Sequence, residues 1–264
     1  MKKPLLTFLS WFAFAVTAHA NDDVLYRSSV IVTGDREETR VPAITEGFAL
    51  AAQKLTGNPD IVHNPAFASL ATGAPAMVWS YTYHDRMFGR PIHDEQGTRD
   101  RPFDLTFQFD RNRMDHAMAL LGERPWLGPR PKLELVIEVT DMTRSYVLAA
   151  DGVHGSDLRA SFEDASVRFA VPIIFPKEAD LSALALENVA AIPDESLARL
   201  KSRLGADAIL VGHLDWETNE PGWHAVWRLP LVTESKKWEI SGVNFDAAFR
   251  NAIGGAAKRM RPTN

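Results

Sequence analysis

Pro125-Trp126-Leu127-Gly128-Pro129-Arg130-Pro131 divides the chain. Three prolines and a glycine in seven residues continue neither a helix nor the centre of a sheet, and the pattern changes across them. Upstream, Phe103, Leu105, Phe107 and Phe109 share one parity while Asp104, Thr106 and Gln108 share the other, as in a half-buried antiparallel strand. Leu25 to Thr33 and Met77 to Tyr83 read as further strands. Between them a helix is expected with Pro42 near its first turn. Val41, Ile44, Phe48, Ala51 and Leu55 form its apolar stripe, and Gly57 its C-cap. A helix from Arg111 to Leu121 stops at Gly122.

Downstream, strand and helix alternate. Leu133 to Val139, Val171 to Phe175 and the apolar run Ala208 to Leu214 read as strands. Helices are expected over Ser156–Phe169 and Asp194–Leu204, with Ser156 or Asp157 capping the first and Asp194 the second. Gly205 closes the latter. Trp223 to Leu231 and Lys237 to Ser241 form an antiparallel pair, and a last helix covers Phe245 to Met260. The expected architecture is α+β followed by α/β. An antiparallel sheet with helices occupies 21–124, a Pro-rich junction 125–131, and an alternating α/β domain 132–264.

Residues 1–20 read as an address. Lys2 and Lys3 form a positive n-region, Leu5 to Val16 is apolar apart from Thr7 and Ser10, and Ala18-His19-Ala20 is a small-x-small cleavage site. The run is shorter than the roughly 20 residues that span a bilayer. Cleavage after Ala20 is therefore expected, giving a periplasmic or secreted chain with no membrane insertion. Its 27 basic and 34 acidic residues give a net charge of −7, which offers no footprint for nucleic acid. With no cysteine, the chain has no disulfides, thiolate metal sites, cysteine nucleophile or lipid-modified cysteine.

The chain lacks G-x-S-x-G, H-E-x-x-H, a P-loop and G-x-G-x-x-G. His154 and Ser156 are close enough in sequence to suggest a nucleophile and its base. Two residues of one turn rarely reach that geometry, however, and a helix start explains them better. His84-Asp85 and His93-Asp94-Glu95 supply metal-ligand types, but Arg86, Arg90, Arg99 and Arg101 share their segment and oppose a cation. The stretch reads as a solvated hairpin loop. Its four arginines are the candidate partner-binding residues, suited to an acidic or phosphate-bearing surface. Trp79, Tyr81 and Tyr83, like Trp223 and Trp227 with Trp216 and Trp238 near them, are expected as strand residues packed in the core. His213 and Asp215 read as a hydrogen-bonded pair at a strand end.

Several segments resemble a known family in order. These are Lys54-Leu55-Thr56-Gly57-Asn58 with Asn64-Pro65-Ala66, Tyr81-Thr82-Tyr83, Phe107-Gln108-Phe109-Asp110, Pro125-Trp126-Leu127-Gly128 with Arg130-Pro131, Val171-Pro172-Ile173 with Pro176, and Gly205-Ala206-Asp207-Ala208-Ile209-Leu210-Val211-Gly212. Together they are similar to the bacterial domain-of-unknown-function family 2066. Ala170 stands where that family usually has Gly, and His213 where it has Arg. The resemblance implies an exported protein of unassigned activity and carries over no catalytic or binding residues. Architecturally, the first half resembles the N-terminal domain of the flagellar assembly protein T. The second half resembles that of TolB and of the outer-membrane penicillin-binding-protein activators. The expectation is a non-catalytic envelope protein, without cofactor, that assists assembly or docks an envelope partner. A periplasmic small-ligand or glycan-binding protein is the alternative, and a metal-dependent hydrolase a third reading.

Overall fold

Alternating side chains build the first sheet. In the computed structural model, which describes residues 23–89, 100–182, 189–218, 221–231 and 234–262, β1 (Arg27–Thr33), β2 (Val78–Asp85) and β3 (Pro102–Phe109) pair antiparallel in the order β1-β3-β2. Val30 and Val32 of β1 and Leu105, Phe107 and Phe109 of β3 point inward. They meet Ile44, Phe48, Ala51 and Leu55 of α1 (Glu37–Thr56), Phe67 and Ala71 of α2 (Phe67–Thr72), and Met114 and Met118 of α3 (Arg111–Leu120). Gly47 lets α1 approach the sheet, because a Cβ there would lie 2.7 Å from the Phe107 ring.

The second sheet runs β5-β4-β7-β8-β9. It comprises β4 (Leu133–Thr140), β5 (Ser145–Val147), β7 (Ala208–Glu217), β8 (Gly222–Pro230) and β9 (Ser235–Val243), with β6 (Ile173–Ile174) beside the start of β4. β4 pairs parallel with β6 and β7, while β7, β8 and β9 run antiparallel. One face carries Leu135, Ile137, Leu210, Leu214 and Trp227. It packs on α4 (Ser156–Phe169) and α7 (Phe245–Met260), whose Phe162 and Phe249 rings stack at 3.8 Å. Trp227 lies across Gly212, where any side chain would collide with its ring. The opposite face places Val136, Ile209 and Val211 against Leu181 of α5 (Glu178–Ser182) and Leu197 and Leu200 of α6 (Asp194–Leu204). The chain is thus mixed α+β, two sheets each with its own helices and core.

The Pro-rich stretch fastens the halves together. Trp126 N–H donates to Leu55 O at 2.8 Å, and its ring lies on Gly57, the left-handed C-cap of α1 (φ 64°). Arg130 lies over that ring at 4.0 Å and donates to Lys54 O (2.8 Å), Trp126 O (3.0 Å) and Phe169 O (3.2 Å). One guanidinium therefore serves carbonyls at the ends of both α1 and α4, which no intrahelical donor reaches. Its cationic charge also complements both helix C-termini. Burial lowers the Arg130 pKa to about 10.

Several local expectations are corrected. Leu25 and Tyr26 are the buried residues of a 3-10 turn, Asp23–Tyr26, so β1 begins at Arg27. α1 begins at Glu37, which puts Pro42 inside the helix. Val41 is exposed and lies off the apolar stripe. The caps of α4 and α6 are Gly155 and Pro193, neither with a side-chain cap bond, so the acidic residues Asp157 and Asp194 fall in the first turns. There they favour the positive end of the helix dipole. Ala170 is the only non-glycine with positive φ (51°) among the described residues. Its methyl packs on the N-terminal core, which offsets part of the roughly 1 kcal/mol that this conformation costs.

Glu134 interrupts the apolar run of β4. It is fully buried, and neither carboxylate oxygen has a hydrogen-bond partner among the described residues. Burial, with Asp180 nearby, raises its pKa from 4.5 to about 7. The native state therefore keeps a proton that the unfolded chain releases above 4.5. The stability tied to this group is complete below that value and lost as pH rises through 7. Glu134→Gln should remove this dependence. Its stability relative to the parent should rise by roughly 3 kcal/mol between about pH 4 and pH 8.5, measured by urea unfolding at both; a constant difference contradicts it. Arg130→Ala should cost about 3 kcal/mol by the same method, because buried carbonyls lose their donor. Arg130→Lys should recover less than half, since an ammonium lacks the planar fork.

Candidate functional site: the open edge of the first sheet

β2 is the outer strand of its sheet, and its backbone alternation decides what it offers. Arg86 N–H donates to Pro102 O at 3.2 Å, one step beyond the Asp85–Phe103 pair. In an antiparallel ladder every second residue turns its N–H and C=O to the partner strand. Tyr81 and Tyr83 therefore turn theirs away from β3, to an edge unpaired among the described residues. A bulge between Val78 and Ser80 frees Trp79 from the ladder. Bulges of this kind re-aim side chains at sheet edges.

The side chains differ from the expectation of a packed strand. Trp79 is 75% exposed and Tyr81 45%. Tyr81 stands opposite Phe107 and shares its inward parity, but α1 lies mainly on β1 and does not cover β2. Arg40 of α1 instead rests over the Tyr81 ring at 4.6 Å. Tyr81, Tyr83 and Phe103 then continue edge to face, each step 5.9 Å between centroids. Most of the second aromatic group packs as expected, while Trp216 is half-buried beside the core of the second sheet. Trp227 is fully buried, Trp216 and Trp223 meet edge to face at 5.3 Å, and Trp238 packs on the same core.

The arginine loop begins where β2 ends. Arg86 Nε lies 3.5 Å from Asp104, whose other oxygen is 3.6 Å from His84, and Arg101 pairs with Asp85 at 2.5 Å. Two of the four arginines thus already hold carboxylates at the root of the β2–β3 hairpin. Arg90 and Arg99 lie outside the described residues, as do His93, Asp94 and Glu95. His84 and Asp85 are spent on different partners. Among the described residues, no three His, Asp or Glu side chains are placed to hold a metal.

Two other clusters are resolved. His154 Nδ1 lies 3.1 Å from Arg144, which can only donate, and its ring rests against Tyr146 at 5.5 Å. That nitrogen is therefore occupied by Arg144, and Ser156 opens α4. His213 pairs with Asp215 through Nε2 (2.7 Å), as expected, and also with Glu138 of the neighbouring strand through Nδ1 (3.1 Å). Ser145 Oγ lies 3.2 Å from the second Glu138 oxygen. The Glu138 contact was not visible in sequence, because it depends on the parallel register of β4 with β7.

Residues 20–127 match the model of a family described as a domain of unknown function (DUF8605). This chain therefore carries an uncharacterised domain in its N-terminal part, and the match is not to family 2066. No curated protein matches the chain. Among the described residues no helix is long and apolar enough to cross a membrane.

The exposure contrast has a direct check in chemical denaturation. Trp79→Ala should change stability by less than about 0.5 kcal/mol, as surface changes do. Trp227→Ala should cost roughly 3–5 kcal/mol.

Proposed function

We propose that the protein is an exported, non-catalytic module of the bacterial cell envelope that docks a protein partner by strand addition to β2. The open edge of β2 carries the reading. It joins main-chain donors and acceptors at Tyr81 and Tyr83, unpaired among the described residues, to an exposed indole at Trp79. Strand addition needs this combination, with the backbone supplying affinity and alternate side chains supplying selectivity. The charged guards of this strand, Asp85 and Arg86, stand at its end, past the aromatic stretch Trp79 to Tyr83. Arg86 and Arg101, at the root of the hairpin, would extend the surface, with Arg90 and Arg99 between them in sequence. An acidic partner there competes with Asp85 and Asp104 for two of its arginines.

Three further observations support the assignment. The leader-like residues 1–20 fit export to the periplasm. The ordered motifs similar to family 2066, and the TolB-like alternation of the second half, fit an envelope module. The family match that ends at residue 127, inside the Pro-rich stretch, fits a division into 21–124, 125–131 and 132–264. The same exposed rings also suit a glycan platform, the second reading, because sugars stack on open aromatic faces.

The test is a photo-crosslinking amino acid placed in cells at position 79, with position 153 as control, where Val153 is exposed and far from β2 in sequence. One protein should be captured from position 79 and not from 153. Tyr81→Pro should abolish capture, since it removes an outward N–H without touching the ladder to β3. Equal capture at both positions, or capture unaffected by Tyr81→Pro, rejects strand addition. Quenching of Trp79 fluorescence by cell-wall oligosaccharides, with no protein captured, selects the glycan reading.

A further inference from the structure

A cleft of about 500 Å³ lies between the two halves, bounded by β1 and α1 on one side and by α4 and α7 on the other. It gathers four cations in a chain whose net charge is −5: Arg27 of β1, Lys54 of α1, Arg168 of α4 and Arg250 of α7. Two carboxylates, Asp164 and Asp246, also line it. Asp246 accepts a hydrogen bond from Ser161. The balance at the cleft is therefore positive, against the sign of the whole protein.

The cations are crowded and poorly answered. Lys54 is 93% buried, given its relative exposure of 7%. Its Nζ donates at 2.9 Å to the main-chain oxygen of Arg27, and no carboxylate pairs with it among the described residues. That oxygen points to the free edge of β1, because Gly34 N–H bonds Arg101 O and alternation turns Arg27 outward. Burial, then Arg27 and Arg130, lower the Lys54 pKa to about 8. Burial and then Arg250 lower that of Arg168, while Glu46 partly opposes the shift. Among the described residues, Arg168 donates only to the neutral amide oxygen of Gln53, at 2.9 Å, and its guanidinium lies 5.9 Å over the Phe169 ring. Ser28 Oγ, also in the lining, is buried without a hydrogen-bond partner among the described residues. A buried hydroxyl left unpaired costs about 1–3 kcal/mol, so a ligand that accepts from it is favoured.

Apolar surface completes the cleft through Leu50, Ala165 and Val167. Its volume falls in the range of small-molecule sites, which pair apolar walls with a few convergent polar groups. We infer that this cleft binds a small organic anion, its carboxylate or phosphate held by Lys54, Arg168 and Arg250 and its apolar body against Leu50, Ala165 and Val167. The site is separate from the β2 edge and does not depend on the docking proposal. Negative charge delivered here would relieve the repulsion among the cations and supply the missing acceptor for Ser28.

Benzoate and phenyl phosphate are the probes, with benzyl alcohol as the neutral control, titrated into the uniformly ¹⁵N-labelled protein. Saturable amide shifts at Ser28, Ser29, Ala165 and Arg168 are expected with one or both anions and not with the alcohol. A response to only one anion identifies the headgroup. Arg250→Glu changes an exposed side chain and should keep the native spectrum while weakening binding about tenfold or more. Arg27→Glu, also at an exposed position, gives a second reading should that variant fail to fold. Trp79→Ala should leave affinity unchanged. Equal binding of benzyl alcohol, shifts scattered over the surface, no shifts with either anion, or full affinity in the folded charge-reversal variants would each overturn the inference.

Discussion

The arrangement of this molecule depends on one half-buried guanidinium. Arg130 lies on the Trp126 ring and donates to the carbonyls of Lys54 and Phe169, near the ends of helices from opposite halves. Helix C-termini leave carbonyls that must find donors, and two such ends meeting in a partly buried interface would otherwise be costly. A planar, permanently charged group with several donors meets both requirements at once. The outer contacts follow from this placement. Arg168 reaches Gln53, Lys258 pairs with Asp60 at 2.6 Å, and Arg261 with Glu123 at 2.7 Å. The cleft between the halves is the space that this fastening leaves beside β1.

Polar groups in apolar surroundings recur across the structure. Glu134 and Lys54 are both buried, one kept protonated up to about pH 7 and the other pushed down to about 8. Both lower the stability available near neutrality, since desolvating a charge is costly without a counter-charge. Their contexts differ. Glu134 sits between a sheet face and helices α5 and α6, whereas Lys54 lines an open cleft among other cations. Accessibility, rather than burial, separates a structural oddity from a place where a ligand can act.

Much of the fold was legible in the chain because periodicity records which face of an element is apolar. The parity of Phe103 to Phe109, the glycines at 57 and 205 and the spans of α4, α6 and α7 all reappear in the structure. Boundaries were less legible where polar helix formers precede the apolar stripe, as in the first turns of α1. β5 escaped notice because three residues carry no period. Of the candidate site, the arginines and aromatics could be named. Their pairing to Asp85 and Asp104, and the exposure of Trp79, could not.

The sequence by itself determined the two-part division of pattern, the strand and helix types, the absence of thiol chemistry and the acidic balance, because these depend on local order and composition. Only the tertiary structure decided that Tyr81, with the same inward parity as Phe107, would remain half open. Parity sets where a side chain points and says nothing of whether a helix lies above it. Tertiary structure also brought Arg27, Lys54, Arg168 and Arg250 around one cleft from positions more than two hundred residues apart at their extremes. No local pattern encodes that meeting. It follows from how two helix ends are drawn together over Trp126.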